Sequence, residues 1–211
     1  MPSPFARAWQ RYRTRKSRFG IWTDFLFLLL VVVMLVPPLR DAVQVGLVRA
    51  GLMQPHRIDQ TIYIGRDKPI RVHDAFGRDT LIFNTFPRPT LYNFGGTWSP
   101  QSRAELRSLN RFAERYRGRI DVIFLTDEDT ATVRKYWRRR KYNIPVYYYQ
   151  PIDQEQNTHD IYDELRMNVP ASLLIDRGGK VVVRKFGAAK WTGRRIEALA
   201  DTLICYQNTK K

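Results

Sequence analysis

Two hydroxyls three residues apart, Ser99 and Ser102, lie in the stretch Gly96-Thr97-Trp98-Ser99-Pro100-Gln101-Ser102, where an apolar strand runs into an amphipathic helix. Thr90 to Phe94 reads as a short buried strand, and Pro100 followed by Arg103 to Tyr116 as a helix with proline in its first turn. A nucleophile at the start of such a helix faces unpaired amides and the positive end of the dipole, the setting that turns a thiol into a thiolate. Serine cannot use that setting. An alkoxide is far too basic to form at neutral pH from a dipole alone, and oxygen makes no exchangeable counterpart of a disulfide. Activation by a base would be the other route. The three histidines, His56, His73 and His159, have no spacing that ties them to this turn, and no Gly-x-Ser-x-Gly elbow occurs. The reading adopted for Ser99 is therefore a helix N-cap that accepts a backbone N–H bond, with no catalytic residue in the turn.

A second landmark is Met167-Asn168-Val169-Pro170-Ala171-Ser172-Leu173-Leu174-Ile175-Asp176-Arg177-Gly178-Gly179-Lys180-Val181. Asp176 to Gly179 supplies turn residues between two apolar runs, Ser172 to Ile175 and Val181 to Phe186, which predicts an antiparallel hairpin. Taken with Asn93-Phe94 before the first turn and Arg103-Ala104-Glu105-Leu106 after it, the chain resembles the thioredoxin superfamily. The particular likeness is to the membrane-anchored TlpA/ResA type of thiol-disulfide oxidoreductase within the redoxin (AhpC/TSA) group, and it covers about Asp59 to Ile204.

The resemblance implies a thioredoxin-like α/β fold, a central mixed sheet flanked by helices. It also implies a Trp-Cys-x-x-Cys turn, whose two sulfur positions are here Ser99 and Ser102. Pro170 would be cis and face that turn, against the plainer reading of a trans proline opening a strand. Trp98, Ser99, Pro100, Gln101, Ser102, Val169 and Pro170 then form a degenerate active-site turn and groove. Gly95-Gly96 replaces the aromatic and small residues usual before Thr-Trp, and is expected to loosen the turn and uncover the site.

The N-terminus sets the compartment. Residues 1–20 hold six cations and no acid, and the uninterrupted apolar run from Phe25 to Val36 follows. Extended to residues 21–39, the segment reaches about 28 Å at a helical rise of roughly 1.5 Å per residue, with Asp24 and Trp22 at headgroup level. A cleaved signal peptide is the rival, but no small-x-small site follows closely, so an uncleaved transmembrane anchor is preferred. The basic end stays in the cytoplasm, which makes this a single-pass protein of the cell inner membrane with its C-terminal domain periplasmic or otherwise extracytoplasmic.

After a connector over residues 40–58, in which Leu39, Val43, Gly46, Leu47 and Ala50 suggest a short amphipathic helix that ends by Gly51 to Pro55, the thioredoxin-like domain spans 59–206, with a tail at 207–211. Its first strands are expected at Thr61 to Ile64, Ile70 to His73 and Thr80 to Asn84, an N-terminal hairpin ahead of the core. Ile120 to Leu125 and Val146 to Tyr149 read as core strands, and Asp160 to Arg166 as a short helix. Asp127-Glu128-Asp129 opens a helix with Thr126 as its cap; complementing the helix dipole explains these acids better than a metal site. The one cysteine, Cys205, falls on a helix with Ile196, Leu199, Ala200 and Leu203 on one face, and is expected half-buried as a small apolar residue. No metal or cofactor is called for.

The formal charge is +16, and residues 38–211 keep 30 cations against 19 acids. Arg103, Arg107, Arg111 and Arg115 stand four apart on one arc, opposite Leu106, Leu109, Phe112, Ala113 and Tyr116. A second run, Arg134 to Lys141, sets Val133, Tyr136 and Trp137 on the buried side. A solvated helix face accounts for both runs. The functional alternative is an anionic surface outside the membrane: acidic lipid heads, lipopolysaccharide phosphates or an acidic protein. Nucleic acid would satisfy the same charges, but an exported, anchored domain rarely meets it.

Two functions follow. One is a non-catalytic binding or scaffold module that holds an extended peptide or envelope protein beside Pro170, which needs no sulfur. The other, which the resemblance alone implies, is a thiol-disulfide oxidoreductase or peroxidase-related enzyme, for which Cys205, far along the chain from the turn, is the one available thiol.

Overall fold

The computed structural model describes residues 18–55, 62–64, 69–83, 86–149 and 165–208, and the chain divides into two units, Met1–Gln44 and Val45–Lys211. In the first, helix α1 (Arg18–Leu35) exposes Phe25 to Leu30 throughout. The helix expected over 21–39 is broken at Val36, because Pro37 and Pro38 cannot donate to the preceding turn and their rings crowd it. Among the described residues no single helix is long and apolar enough to cross a membrane; Phe19–Val33 with Pro37–Val48 form one bent pair that passes by length and composition. Helix α2 (Pro37–Ala50) is the short helix expected in the connector, beginning a little earlier than 40 and ending at Ala50. It closes at Gly51, whose φ of +82° suits glycine, with Gly51 N–H donating to Val48 C=O and Leu52 N–H to Leu47 C=O.

The second unit is built on strands β1 (Ile62–Tyr63), β2 (Ile70–His73), β3 (Asp79–Ile82), β4 (Thr90–Phe94), β5 (Asp121–Thr126), β6 (Val146–Tyr148), β7 (Ala171–Ile175) and β8 (Lys180–Phe186). Its helices are α3 (Pro100–Arg115), α4 (Thr130–Arg140) and α5 (Arg194–Asn208). Among the described residues the sheet runs β1-β8-β7-β4-β5-β6-β2-β3. β4, β5 and β6 are parallel, joined by α3 and α4, and β7 lies antiparallel on the other side of β4. The predicted β7–β8 hairpin is present. Asp176 Oδ1 shapes its turn by accepting from the Gly178 and Lys180 amides.

The N-terminal strands differ from expectation. β2 and β3 pair as a hairpin on the β6 edge, but β1 crosses to the opposite edge and pairs with β8. Local pattern identifies a strand and is silent on its partner.

Every residue of β4 is buried, so its side chains alternate between two cores. Leu91 packs on one face with Leu106, Leu109, Phe112, Val133, Trp137, Trp191 and Ile196, under the helices. Tyr92 and Phe94 pack on the other with Phe83, Leu125, Tyr149, Leu165 and Leu173. Of the short helix expected over 160–166, residues 160–164 lie outside the described residues, as do His56 and His159.

Candidate functional site

The site grows from the C-terminal end of β4. Gly95 N–H donates to Leu125 C=O at 3.0 Å, tying the exit of β4 to β5. A Cβ on Gly95 would lie 2.5 Å from the Phe124 ring, and one on Gly96 would run into the Trp98 indole. The first glycine makes room for the Phe124 ring, and the second for the Trp98 indole. Trp98 itself remains 63% exposed.

Ser99 is the N-cap of α3, with Pro100 in the first turn as predicted. Its Oγ accepts from Ser102 N–H at 3.3 Å, and Ser102 Oγ accepts from Gly96 N–H at 3.2 Å. Both hydroxyls are buried and serve as acceptors for backbone amides. Among the described residues no imidazole, amine or carboxylate hydrogen-bonds either one. His73 is bound to Asp79 at 2.6 Å on β2, three places along the sheet from β4.

Two charged side chains hold the turn from outside. Glu128 accepts from the Thr97 hydroxyl at 2.6 Å and from Trp98 N–H at 3.0 Å. Arg103 donates to the carbonyls of Thr97 at 2.7 Å and Trp98 at 3.2 Å. The acidic triplet therefore divides its work. Asp129 is the N-cap of α4, accepting from Thr132 N–H at 2.9 Å, while the Thr126 hydroxyl only receives Glu128 N–H at 3.3 Å. Thr126 as cap is corrected, since the strand runs on through it and the helix begins at Thr130.

The Val169–Pro170 peptide is cis. Antiparallel register pairs Ala171 with Phe94, so Pro170 falls beside Gly95 at the mouth of the turn. Pro170 C=O accepts from Gly187 N–H at 2.8 Å, whereas the main chain of Val169 has no hydrogen-bond partner among the described residues. Met167, 79% exposed, lies two residues before it. Gln101 sits half-buried in the first turn of α3.

Beneath the turn is a polar cluster that sequence reasoning did not single out. Glu105, fully buried on α3, accepts through Oε1 from Trp191 Nε1 at 2.6 Å and from the Ser172 hydroxyl at 3.3 Å. Asn93 Nδ2 in turn donates to Ser172 Oγ at 2.8 Å. Glu105 Oε2 has no hydrogen-bond partner among the described residues. Burial raises the Glu105 carboxyl from 4.5 to about 7, against the opposing bonds from Trp191, Asn93 and Ser172. The signal was present in the pattern: a carboxylate directly before Leu106 on the apolar arc of α3, where a charged residue needs a reason.

The other predicted residues scatter. Arg115 pairs with Glu197 at 3.0 Å, far along α3 from the turn, and Arg107 and Arg111 are exposed between it and Arg103. Cys205 is exposed rather than half-buried. Ile196 and Ala200 define the buried stripe of α5, partly buried Ile204 continues it, and the next residue turns outward.

No protein-family model matches the sequence, and no curated protein matches it. Solved structures do. A candidate thiol:disulfide interchange protein DsbE from Chlorobium tepidum is 17% identical, with 70% of this chain and 99% of that one covered at a TM-score of 0.54. The thioredoxin domain of a thiol-disulfide oxidoreductase from Bacteroides vulgatus is 14% identical over 68% and 98% of the two chains, TM-score 0.51. A DsbF homologue from Corynebacterium diphtheriae is 13% identical over 69% and 92%, TM-score 0.50. At these identities the likeness is one of fold.

Proposed function

Starting from a thioredoxin-like fold, we propose that this chain is an anchored, extracytoplasmic member of the TlpA/ResA type whose redox turn has become a non-catalytic surface for an extended peptide. The observation that carries this reading is the division of hydrogen bonds at the site. Ser99 and Ser102 accept from the Ser102 and Gly96 amides, and among the described residues no base hydrogen-bonds either hydroxyl. Beside them Val169, next to cis-Pro170, keeps its main-chain donor and acceptor unpaired among the described residues. An extended peptide would satisfy both groups by adding a strand-like segment, and the exposed Trp98 and Met167 would supply apolar contacts.

The turn is already fixed by Glu128 and Arg103, so a peptide would meet a surface that needs little ordering. An acidic partner would also suit the basic domain.

The test uses the full chain in neutral detergent, with a photoreactive residue in place of Trp98 or Met167 in cells. Expected are discrete crosslinked envelope partners, and no turnover of a model disulfide or hydroperoxide by the purified protein. Thiol-dependent turnover abolished by Cys205→Ser would overturn the reading in favour of a redox enzyme. Restoring sulfur with Ser99→Cys and Ser102→Cys is expected to give a dithiol that closes under mild oxidation, since the scaffold is intact.

A further inference from the structure

A groove of about 540 Å³ that the turn does not use is formed by α3, the end of α4 with Tyr142, the 190–192 segment and two valines at the end of α2. Its volume falls within the range of small-molecule sites. Five cations line it and no aspartate or glutamate does. Arg103 is committed to the carbonyls of the turn. Arg107 and Arg111, four apart on α3, have no carboxylate partner among the described residues, and Arg140 from α4 lies over the Tyr136 ring at 5.6 Å.

Such a lining concentrates like charge in a concave place, which costs free energy until an anion enters. Burial holds the Tyr142 phenol above its ordinary value and Tyr136 adds to the shift, while Arg140 and Arg107 oppose it. Guanidinium groups from two different helices therefore act on one point in the groove. Planar guanidinium pairs favour phosphate, which they can bind through two parallel N–H bonds. The remaining wall is apolar: Val45 and the buried Val48. Only nine residues separate Val45 from Leu35, the last residue of exposed, apolar α1.

We propose that this groove binds the phosphate headgroup of an anionic phospholipid, with Arg107, Arg111 and Arg140 on the phosphate and Val45 and Val48 toward the glycerol and acyl carbons. The inference rests on α1 being a membrane anchor, because that anchor makes a lipid the anion within reach of residues 45–48.

The full chain in a neutral maltoside detergent, titrated calorimetrically with monomeric dihexanoyl phosphatidylglycerol, should bind saturably. Arg107→Gln with Arg111→Gln should weaken that binding by about tenfold or more, and Arg138→Gln, outside the groove, should leave it unchanged. Should the double variant unfold, Arg140→Gln alone must weaken binding by about threefold or more. Unaltered affinity in these variants overturns the site. Equal or tighter binding of dihexanoyl phosphatidylcholine, inorganic phosphate or hexaglutamate overturns the assignment to an anionic lipid. Alkaline carbonate extraction of membranes tests the anchor separately. A chain released into the soluble fraction removes the anchor and the lipid source with it. A retained chain whose groove variants bind as the parent does overturns the groove alone.

Discussion

Among the described residues Glu105 is the one fully buried carboxyl, and it lies behind the turn bonded to Trp191 and Ser172. Folded, it keeps its proton up to about pH 7; unfolded, it releases it near 4.5. The folded state is therefore favoured below pH 4.5, and that contribution is lost as the pH climbs to about 7. Its size is on the order of 3 kcal/mol. Glu105→Gln should remove this dependence. Measured by denaturant unfolding, the stability difference between the two proteins should shift toward the variant from pH 4 to pH 8; parallel curves would show that the carboxyl ionises alike in both states. Gly95→Ala makes a different demand, forcing a methyl against the Phe124 ring, and should cost about 1 to 3 kcal/mol. At this scale the sequence disclosed the Ser99 cap, which depends on neighbours along the chain, while the cis bond at Pro170 was implied by the family resemblance. Glu128 clamping Thr97 and Trp98 from 30 residues away was beyond local pattern, and the acids around it looked like a single helix-dipole feature.

Among elements, α3 was the most legible: proline in the first turn, serine before it and an apolar arc opposite arginines fix its start, phase and buried face. The start of α4 was misplaced because three consecutive acids and a threonine each offer a capping oxygen, and only the end of β5 decides among them. Asp129→Ala should reduce stability by about 1 kcal/mol, read from the denaturant midpoint. Glu128→Gln should leave the fold in place but speed hydrogen exchange at the Trp98 amide, because a neutral acceptor holds that N–H less strongly than a carboxylate. β1 shows the limit of pattern most clearly. Two extended residues are easy to see in the sequence, yet their pairing with β8 is set by packing of Ile62 and Ile64 on a distant core.

For the whole molecule, two landmarks about 70 residues apart carried the family resemblance that implied the α/β architecture, and the strand–turn–helix and the proline-led hairpin do meet at one end of one sheet. The placement of the chain with respect to a membrane was less accessible, since Pro37-Pro38 breaks a segment that composition alone would extend. The Val45–Lys211 unit has both core clusters to itself, so residues 45–211 produced alone should unfold in one cooperative transition by calorimetry. Two separated transitions would show that the two core clusters melt independently.

The indole of Trp98, resting on the bare α-carbon of Gly96, gives the protein a built-in optical gauge. Whatever seats at the mouth of the turn must dry that ring, and its emission, isolated by difference against Trp98→Phe, should move to the blue in step with occupancy. Native fluorescence can thus report the arrival of a partner before anyone knows its name.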